Sequence, residues 1–138
     1  MREYILDSNA VLRYFGVSAG LGTHKVRALF EQAERGQARL LMSVVNLGEV
    51  LYVLLKHVSE QQARHYVQAL QHVATMVEAD AALALRAAEM KHNYKLGYAD
   101  CFAATLAVTL KATLVSADPA FEKLGKSLKW MRLPRFAQ

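Results

Sequence analysis

Four acidic residues stand in apolar parts of the sequence, where a carboxylate is costly to bury. Asp7 and Asp118 each come directly after a short, mainly apolar run. Asp100 precedes an apolar run, and Glu49 has valine at both neighbouring positions of a helix face. Acidic side chains are rarely fully buried unless they are paired, hydrogen-bonded or bound to a metal. These four positions are therefore the first candidates for a functional site.

Each acid alone also has an ordinary explanation. Asp7 and Asp118 could be helix caps or turn residues, and Asp100 could complement the positive end of a helix dipole. Glu49 could form a buried ion pair with an arginine. Four carboxylates close together, however, would raise one another's pKa unless a cation is present. Oxygen ligands without a Cys or His cluster favour Mg²⁺ or Mn²⁺, and such a site suits cleavage of phosphodiester bonds.

The sequence around these acids predicts alternating strands and helices. Short apolar runs predict strands over residues 4–6, 39–42, 75–77, 113–116 and, at an edge, 128–131. Caps and apolar stripes predict helices over about 10–15, 23–35, 43–57, 80–94, 98–108 and 120–124, with a further helix starting at Ser59. This alternation predicts an α/β fold. We expect one doubly wound domain over residues 1–138, with a mainly parallel five-stranded sheet flanked by helices.

The predicted sheet would bring the acids together. Open α/β sheets bind ligands beyond the carboxyl ends of their strands. Asp7 and Asp118 follow predicted strands, and Asp100 begins a helix. Glu49 lies about two turns into the helix after the second strand. We therefore expect all four carboxylates to meet at one edge of the sheet.

Composition narrows the class of protein and of partner. The net charge of +5 favours a polyanionic partner, although the basic residues are spread along the chain. Cys101 is the only cysteine and lies in an apolar run, which predicts a buried hydrophobic side chain and a reducing compartment. The sequence shows no signal peptide and no apolar run of the ~20 residues that a membrane span needs. We expect a soluble, cytoplasmic protein with no membrane partner.

Four short motifs resemble those of a known family. Ile5–Asn9 looks like the opening motif of PIN-domain ribonucleases, and Asn46–Val50 is similar to their internal glutamate helix. Gly97–Thr105 and Leu114–Asp118 look like their third and fourth acidic motifs. The order and spacing of the motifs, with the length of the chain, resemble a VapC-type toxin of a type II toxin–antitoxin system. Tyr98 departs from the pattern, since a small or aliphatic residue is more usual there.

The resemblance implies a Mg²⁺- or Mn²⁺-dependent endoribonuclease with a five-stranded parallel sheet. It implies an RNA substrate, an antitoxin that blocks the site, and a homodimer. The metal-binding and catalytic acids carried over from the motifs are Asp7, Glu49, Asp100 and Asp118. Ser116 and, more weakly, Asn9 are candidates for polar groups that support these ligands.

Basic and aromatic residues near the motifs are candidates for RNA contacts, because phosphate contacts dominate affinity for nucleic acids. The alternative is ordinary solvated surface charge. The candidates near the first and third motifs are Arg13, Tyr14, Lys91, His92 and Lys95. A basic C-terminal stretch, suited to RNA or to an acidic antitoxin segment, comprises Lys123, Lys126, Lys129, Arg132 and Arg135.

Other functions remain open at this stage. A catalytically silent PIN-like module that binds RNA or protein would keep the fold without turnover. A phosphoacceptor receiver domain would want an adjacent acidic pair after its first strand, where Asp7 is followed by serine. An aspartyl phosphatase would want a second aspartate at the position of Asn9. The intact set of four acids favours the metal-dependent nuclease.

Overall fold

A computed structural model describes residues 1–17 and 23–134 of the chain. The strands are β1 (Arg2–Leu6), β2 (Ala38–Ser43), β3 (Thr75–Val77), β4 (Thr113–Ser116) and β5 (Lys129–Arg132). The helices are α1 (Ser8–Tyr14), α2 (Thr23–Glu34), α3 (Val44–His57), α4 (Glu60–Val73), α5 (Ala81–Tyr94) and α6 (Tyr98–Leu110). A 3₁₀ segment, Pro119–Ser127, connects β4 to β5.

The five strands form one parallel sheet in the order β3-β2-β1-β4-β5. The chain places β2 and β3 on one side of β1, and then returns to place β4 and β5 on the other side. This confirms the predicted doubly wound α/β sheet, including β5 as an edge strand. The change of direction occurs between β1 and β4, which is where sheets of this kind bind ligands.

Both faces of the sheet are covered, because successive strand residues point to opposite sides. Tyr4 and Leu6 pack into a core that is completed by α1, α2, α3 and α4. Ile5, between them, packs into a second core with α5, α6 and the 3₁₀ segment. The continuous apolar runs of the sequence therefore correspond to strands buried on both sides.

Polar side chains begin several helices as the sequence predicts. Ser43, Ser59 and Asp80 accept hydrogen bonds from the backbone amides of Val45, Gln62 and Leu83, at 3.1, 3.1 and 2.8 Å. Each bond satisfies an amide that has no partner within its helix. These caps fix where α3, α4 and α5 start.

The structure corrects three predicted boundaries. β1 starts at Arg2 rather than Tyr4, because polar Arg2 and Glu3 pair through their backbone with β2. The helix that carries Asp100 runs on to Leu110. The segment after β4 is 3₁₀ rather than α-helical and extends to Ser127, with a kink at Gly125, whose φ of +54° suits glycine.

Some predictions lie outside the described residues or stay untested. The loop before Thr23 and the basic residue Arg135 fall partly or wholly outside the described ranges. The assignment of residues 1–138 to one domain stays a prediction. Among the described residues, no helix is both long enough and apolar enough to cross a membrane.

Candidate active site

The four predicted acids line one cavity at the edge of the sheet where the parallel strands end. The cavity has a volume of about 380 Å³. Besides the acids, its lining residues are Ser8, Asn9, Leu12, Arg13, Val53, Ala117 and Pro119. Asp7 and Asp118 lie here because they follow the neighbouring strands β1 and β4. The structure thus brings together all four acids that the sequence singles out.

The Ser116 hydroxyl connects the acids of the two strands. It donates a hydrogen bond of 2.7 Å to Oδ2 of Asp7 and accepts one of 3.1 Å from the backbone amide of Asp118. Asn9 fixes the same turn, since its Oδ1 accepts a hydrogen bond of 3.1 Å from the amide of Ala117. Both predicted supporting residues therefore lie directly behind the acids, and their functional role stays a prediction.

Asp7 is the most buried of the four acids, with 1% of its surface exposed. It occupies the residue before α1, but its side chain makes no capping hydrogen bond, unlike that of Asp118, which accepts one of 2.9 Å from the amide of Ala120. Oδ1 of Asp7 is buried without a hydrogen-bond partner. An ordinary helix cap therefore does not explain Asp7.

The charges in the cavity act on one another. Burial, followed by the charge of Asp100, raises the pKa of Asp7 from 3.8 to about 8, while the Ser116 hydrogen bond acts in the opposite direction. Burial, followed by the charges of Asp118 and Glu49, raises the pKa of Asp100 from 3.8 to about 6. Both shifts have the direction expected for carboxylates that share a partly buried site without a neutralising cation.

Asp100 lies in the first turn of α6, and its carboxylate lies close to Gly97, the residue before the helix. A Cβ atom placed on Gly97 would lie 3.1 Å from Oδ2 of Asp100, closer than such atoms normally approach. The bare backbone of Gly97 therefore leaves the space that the Asp100 carboxylate occupies. Tyr98, the departure from the family motif, is 48% exposed and packs edge-to-face on Phe102.

Glu49 reaches the cavity from α3 and is half-buried, beside the buried face of that helix. Val50 and Leu54, on the adjoining face of α3, are fully buried. The ion pairs between described side chains are Arg39–Glu3, Arg64–Glu60 and Arg132–Glu122. Glu49 is in none of them, so the alternative of a buried pair with arginine is not what the structure shows.

The donor set fits a hard divalent cation. Carboxylate oxygens are the ligands that Mg²⁺ and Mn²⁺ prefer, and Asp7 Oδ1 is a buried oxygen that no protein group satisfies. Within residues 1–17 and 23–134, no three His, Cys, Asp or Glu side chains are already arranged to hold a metal ion. The four acids line one cavity without forming a ready-made set of ligands, so binding an ion would require their side chains to move.

The predicted RNA contacts are spread over different surroundings. Arg13 lines the cavity and is buried, and its Nη1 donates to the carbonyl oxygen of Pro134. Tyr14 instead packs edge-to-face on Phe30, 4.7 Å between ring centroids, and lines a different cavity. Lys91 donates a hydrogen bond of 2.9 Å to the carbonyl oxygen of Leu96. Lys95 is exposed at the end of α5. Of these four, Arg13 alone borders the acids.

The cavity that Tyr14 lines is larger but chemically different. It measures about 670 Å³ and lies between α1, α2 and α4, with mainly apolar and neutral polar walls. Among its described lining residues, Glu34 alone carries a carboxylate. His65 and His72 also line it, and they do not join the acids of the smaller cavity. Size alone therefore does not identify the site with the chemistry.

Two polar residues at the site carry no assigned role in the sequence prediction. Ser8 and Asn46 are buried and bonded to each other next to Asp7 and Glu49. Both stand inside quoted motifs, and an asparagine in the apolar stretch 44–55 is itself a signal, since a buried amide needs partners. Its partners could not be named without the fold, because they belong to distant segments.

Comparison with known proteins addresses the family directly. A family profile for the PIN domain matches residues 4–127. The chain belongs to the PIN-domain family. This confirms the family that the motifs resemble. A comparison with curated proteins found no match.

Solved structures share the fold of this PIN-domain protein. VapBC2 from Rickettsia felis, bound to a DNA fragment from its promoter, superimposes with a TM-score of 0.75 at 17% identity, covering 95% of this chain and 98% of that one. VapBC-5 from Mycobacterium tuberculosis, a member of the VapBC family of toxin–antitoxin systems, gives 0.62 at 16% identity, covering 97% and 99%. VapC20 from the same organism, described as a toxin that cleaves the sarcin–ricin loop, gives 0.66 at 17% identity, covering 88% and 95%. At these identities the likeness concerns the fold.

Proposed function

We propose that this PIN-domain protein is a divalent-metal-dependent endoribonuclease and the toxin of a toxin–antitoxin pair. One observation carries the proposal. Four carboxylates line a single cavity at the switch point of the sheet, and the most buried of them, Asp7, has an oxygen without a hydrogen-bond partner among the described residues. Clustered carboxylates of this kind need a cation, and PIN-domain membership agrees with nuclease chemistry.

The ligands we propose for Mg²⁺ or Mn²⁺ are Asp7, Glu49, Asp100 and Asp118. Such an ion, when bound, supplies a Lewis acid for phosphate oxygens and lowers the pKa of an attacking water. Ser116 holds Oδ2 of Asp7, and Oδ1 is left without a hydrogen-bond partner among the described residues. Arg13 places a buried positive charge at the cavity wall, which attracts a phosphate of the RNA. Tyr98 offers an exposed ring at the start of α6, on which a base can stack.

The proposed partners come from the related structures. VapC20 is described as a toxin that cleaves the sarcin–ricin loop, and VapBC-5 is described as a member of a family of toxin–antitoxin systems. We infer that RNA is the substrate class here and that a small antitoxin covers the acid cavity. A homodimer and a cytoplasmic location are further expectations from the family, and sedimentation and cell fractionation can test them.

An RNA cleavage assay tests the proposed activity. The purified protein is incubated with an RNA that contains single-stranded loops, with Mg²⁺, with Mn²⁺ or with EDTA. We expect cleavage with either ion and none with EDTA. Asp7→Ala and Asp100→Asn should each lower kcat by at least about 100-fold, since even outer groups of metal sites cost 10- to 100-fold when removed.

Asp80→Asn is the matched control. It makes the same chemical change as Asp100→Asn, but at a helix cap outside the acid cavity. Asparagine caps helices as well as aspartate does. Its activity should equal that of the wild type. Cleavage that persists in EDTA or in both site variants would contradict the metal mechanism. RNA binding without turnover in either metal would instead identify a silent binding module.

A further inference from the structure

Asn46 is a fully buried polar residue in the first turn of α3, with 0% of its surface exposed. Its Nδ2 donates two hydrogen bonds, one of 3.2 Å to the hydroxyl oxygen of Ser8 and one of 3.1 Å to the carbonyl oxygen of Ala99. The Ser8 hydroxyl in turn donates a bond of 3.2 Å to the backbone carbonyl of Asn46. One amide group thus joins three segments that are far apart in the sequence.

The orientation of the amide is fixed by these partners. Ala99 presents a carbonyl oxygen, which accepts hydrogen bonds and donates none, so the nitrogen of Asn46 must face it. The Ser8 hydroxyl gives its proton to the Asn46 backbone and is left to accept from the same nitrogen. Both amide hydrogens are therefore used, and no flipped arrangement would satisfy the three segments.

Each segment joined by Asn46 carries one of the candidate ligands. Ser8 directly follows Asp7, and Ala99 directly precedes Asp100. Asn46 itself lies three residues before Glu49, almost one helical turn. The network therefore controls the relative positions of the three backbone segments from which three carboxylates enter the cavity.

The remaining oxygen of Asn46 argues that this network is more than a generic stabilising contact. Oδ1 is buried without a hydrogen-bond partner, and an unsatisfied buried polar atom is destabilising. An apolar side chain would avoid that loss within the surrounding core. A residue kept for stability alone would not be expected to carry such a group.

We propose that Asn46 is a positioning residue, which sets the spacing of Asp7, Glu49 and Asp100 for a divalent cation. The inference rests on the proposed function, since it concerns the same carboxylates. Asn46 does not line the cavity, so it acts through Ser8 and Ala99 rather than as a ligand. Its loss should loosen the three segments and weaken cation binding, while the sheet and both cores persist.

Mn²⁺ binding to Asn46→Ala tests the proposal. Isothermal titration calorimetry measures the Kd for Mn²⁺ at a temperature where near-UV circular dichroism shows the variant to be folded. We expect the Kd to rise by about 10- to 100-fold, the range seen when outer groups of metal sites are removed. RNA cleavage should fall at low Mn²⁺ and recover toward the wild-type kcat as the Mn²⁺ concentration rises.

Thr105→Val is the matched control. Thr105 is a buried residue of the same helix as Asp100, and its hydroxyl contacts the sulfur of Met90 at 3.8 Å, away from the acid cavity. The substitution removes a buried polar contact and should leave the Kd unchanged. If Asn46→Ala does not fold, Ser8→Ala is the variant to measure. It removes the hydroxyl that is hydrogen-bonded to Asn46 and leaves Asn46 in place. Its Kd for Mn²⁺ should rise as well, but by a smaller factor.

The outcomes separate this proposal from the proposed function. If the wild type binds Mn²⁺ and Asn46→Ala binds it with the same Kd, the positioning role is wrong and the metal site is unaffected. The same holds for Ser8→Ala if Asn46→Ala does not fold. Failure of the wild type to bind Mn²⁺ overturns both. A higher Kd that is matched by Thr105→Val would show general destabilisation, and would also overturn the role of Asn46.

Discussion

At the level of single residues, one hydrogen bond makes the two carboxylate oxygens of Asp7 different. Ser116 holds Oδ2 at 2.7 Å, and Oδ1 is left buried and without a partner. The sequence predicts the position of Asp7 after a strand and before a helix, and it also allows a capping role. The bond that distinguishes the two comes from Ser116, more than a hundred residues away, so local sequence could not decide between them.

The raised pKa of Asp7 predicts how the stability of the metal-free protein depends on pH. The folded protein keeps a proton on Asp7 up to about pH 8, whereas the unfolded chain releases it near pH 3.8. The stability that Asp7 contributes is therefore fully present below its unfolded-state pKa of 3.8, and it is lost as the pH rises to its folded-state pKa of about 8. Urea unfolding in EDTA should show this loss in the wild type, measured at about pH 5 and about pH 8.

Asp7→Asn is the comparison, because an amide does not titrate. Its stability should fall less between the two pH values than that of the wild type, and all other titrating groups are shared by the two proteins. Parallel pH profiles for the wild type and Asp7→Asn would show that Asp7 does not carry the raised pKa.

Gly97→Ala tests the close approach of Asp100. The new Cβ would lie 3.1 Å from Oδ2, so the carboxylate must move by a few tenths of an ångström, while the backbone φ of −59° allows alanine. We expect weaker Mn²⁺ binding, by up to about tenfold, in a folded protein. Gly48→Ala, beside Glu49, would place its new Cβ more than 4 Å from every described atom outside its chain neighbours and the adjacent backbone of α3, and should bind Mn²⁺ as the wild type does. Equal affinity in the two variants would contradict the steric account.

At the scale of the element, α3 combines two functions on adjoining faces. Val50 and Leu54, one turn apart, are buried in the core, while Glu49 and Val53, also one turn apart, line the acid cavity. The apolar sequence predicts the helix and its buried face. It cannot show that a cavity borders the face that carries Glu49, because hydropathy does not reveal how distant segments pack.

Leu54 and Leu55 give a direct test of which face of α3 holds the fold. Leu54 is fully buried and Leu55 is 44% exposed. Leu54→Ala should lower the free energy of unfolding by about 2–5 kcal/mol, through lost burial and the cavity left behind. Leu55→Ala should change it by less than about 0.5 kcal/mol. Urea unfolding measures both, and a larger loss for Leu55→Ala would contradict the orientation of the helix.

At the scale of the whole molecule, the order of strands explains why distant acids meet. Alternating strands and helices predict a parallel sheet, and parallel strands put Asp7 and Asp118 at the same edge. The sequence does not predict that β1 and β4 are neighbours, because strand order depends on packing between segments far apart. The position of Tyr14 could not be predicted for a similar reason. The helix α1 is too short for its sequence to show which side chains face the acids and which pack on α2.

Crystals soaked in Mn²⁺ test whether the four acids form a metal site, because anomalous scattering locates the ion. We expect a peak inside the acid cavity, with Asp7 and Asp100 among the ligands of the ion. Asp7→Asn crystals soaked in the same way should show a weaker peak or none. If the protein cleaves RNA while its Mn²⁺ binds elsewhere, or nowhere, the acid cavity is not the metal site of the nuclease.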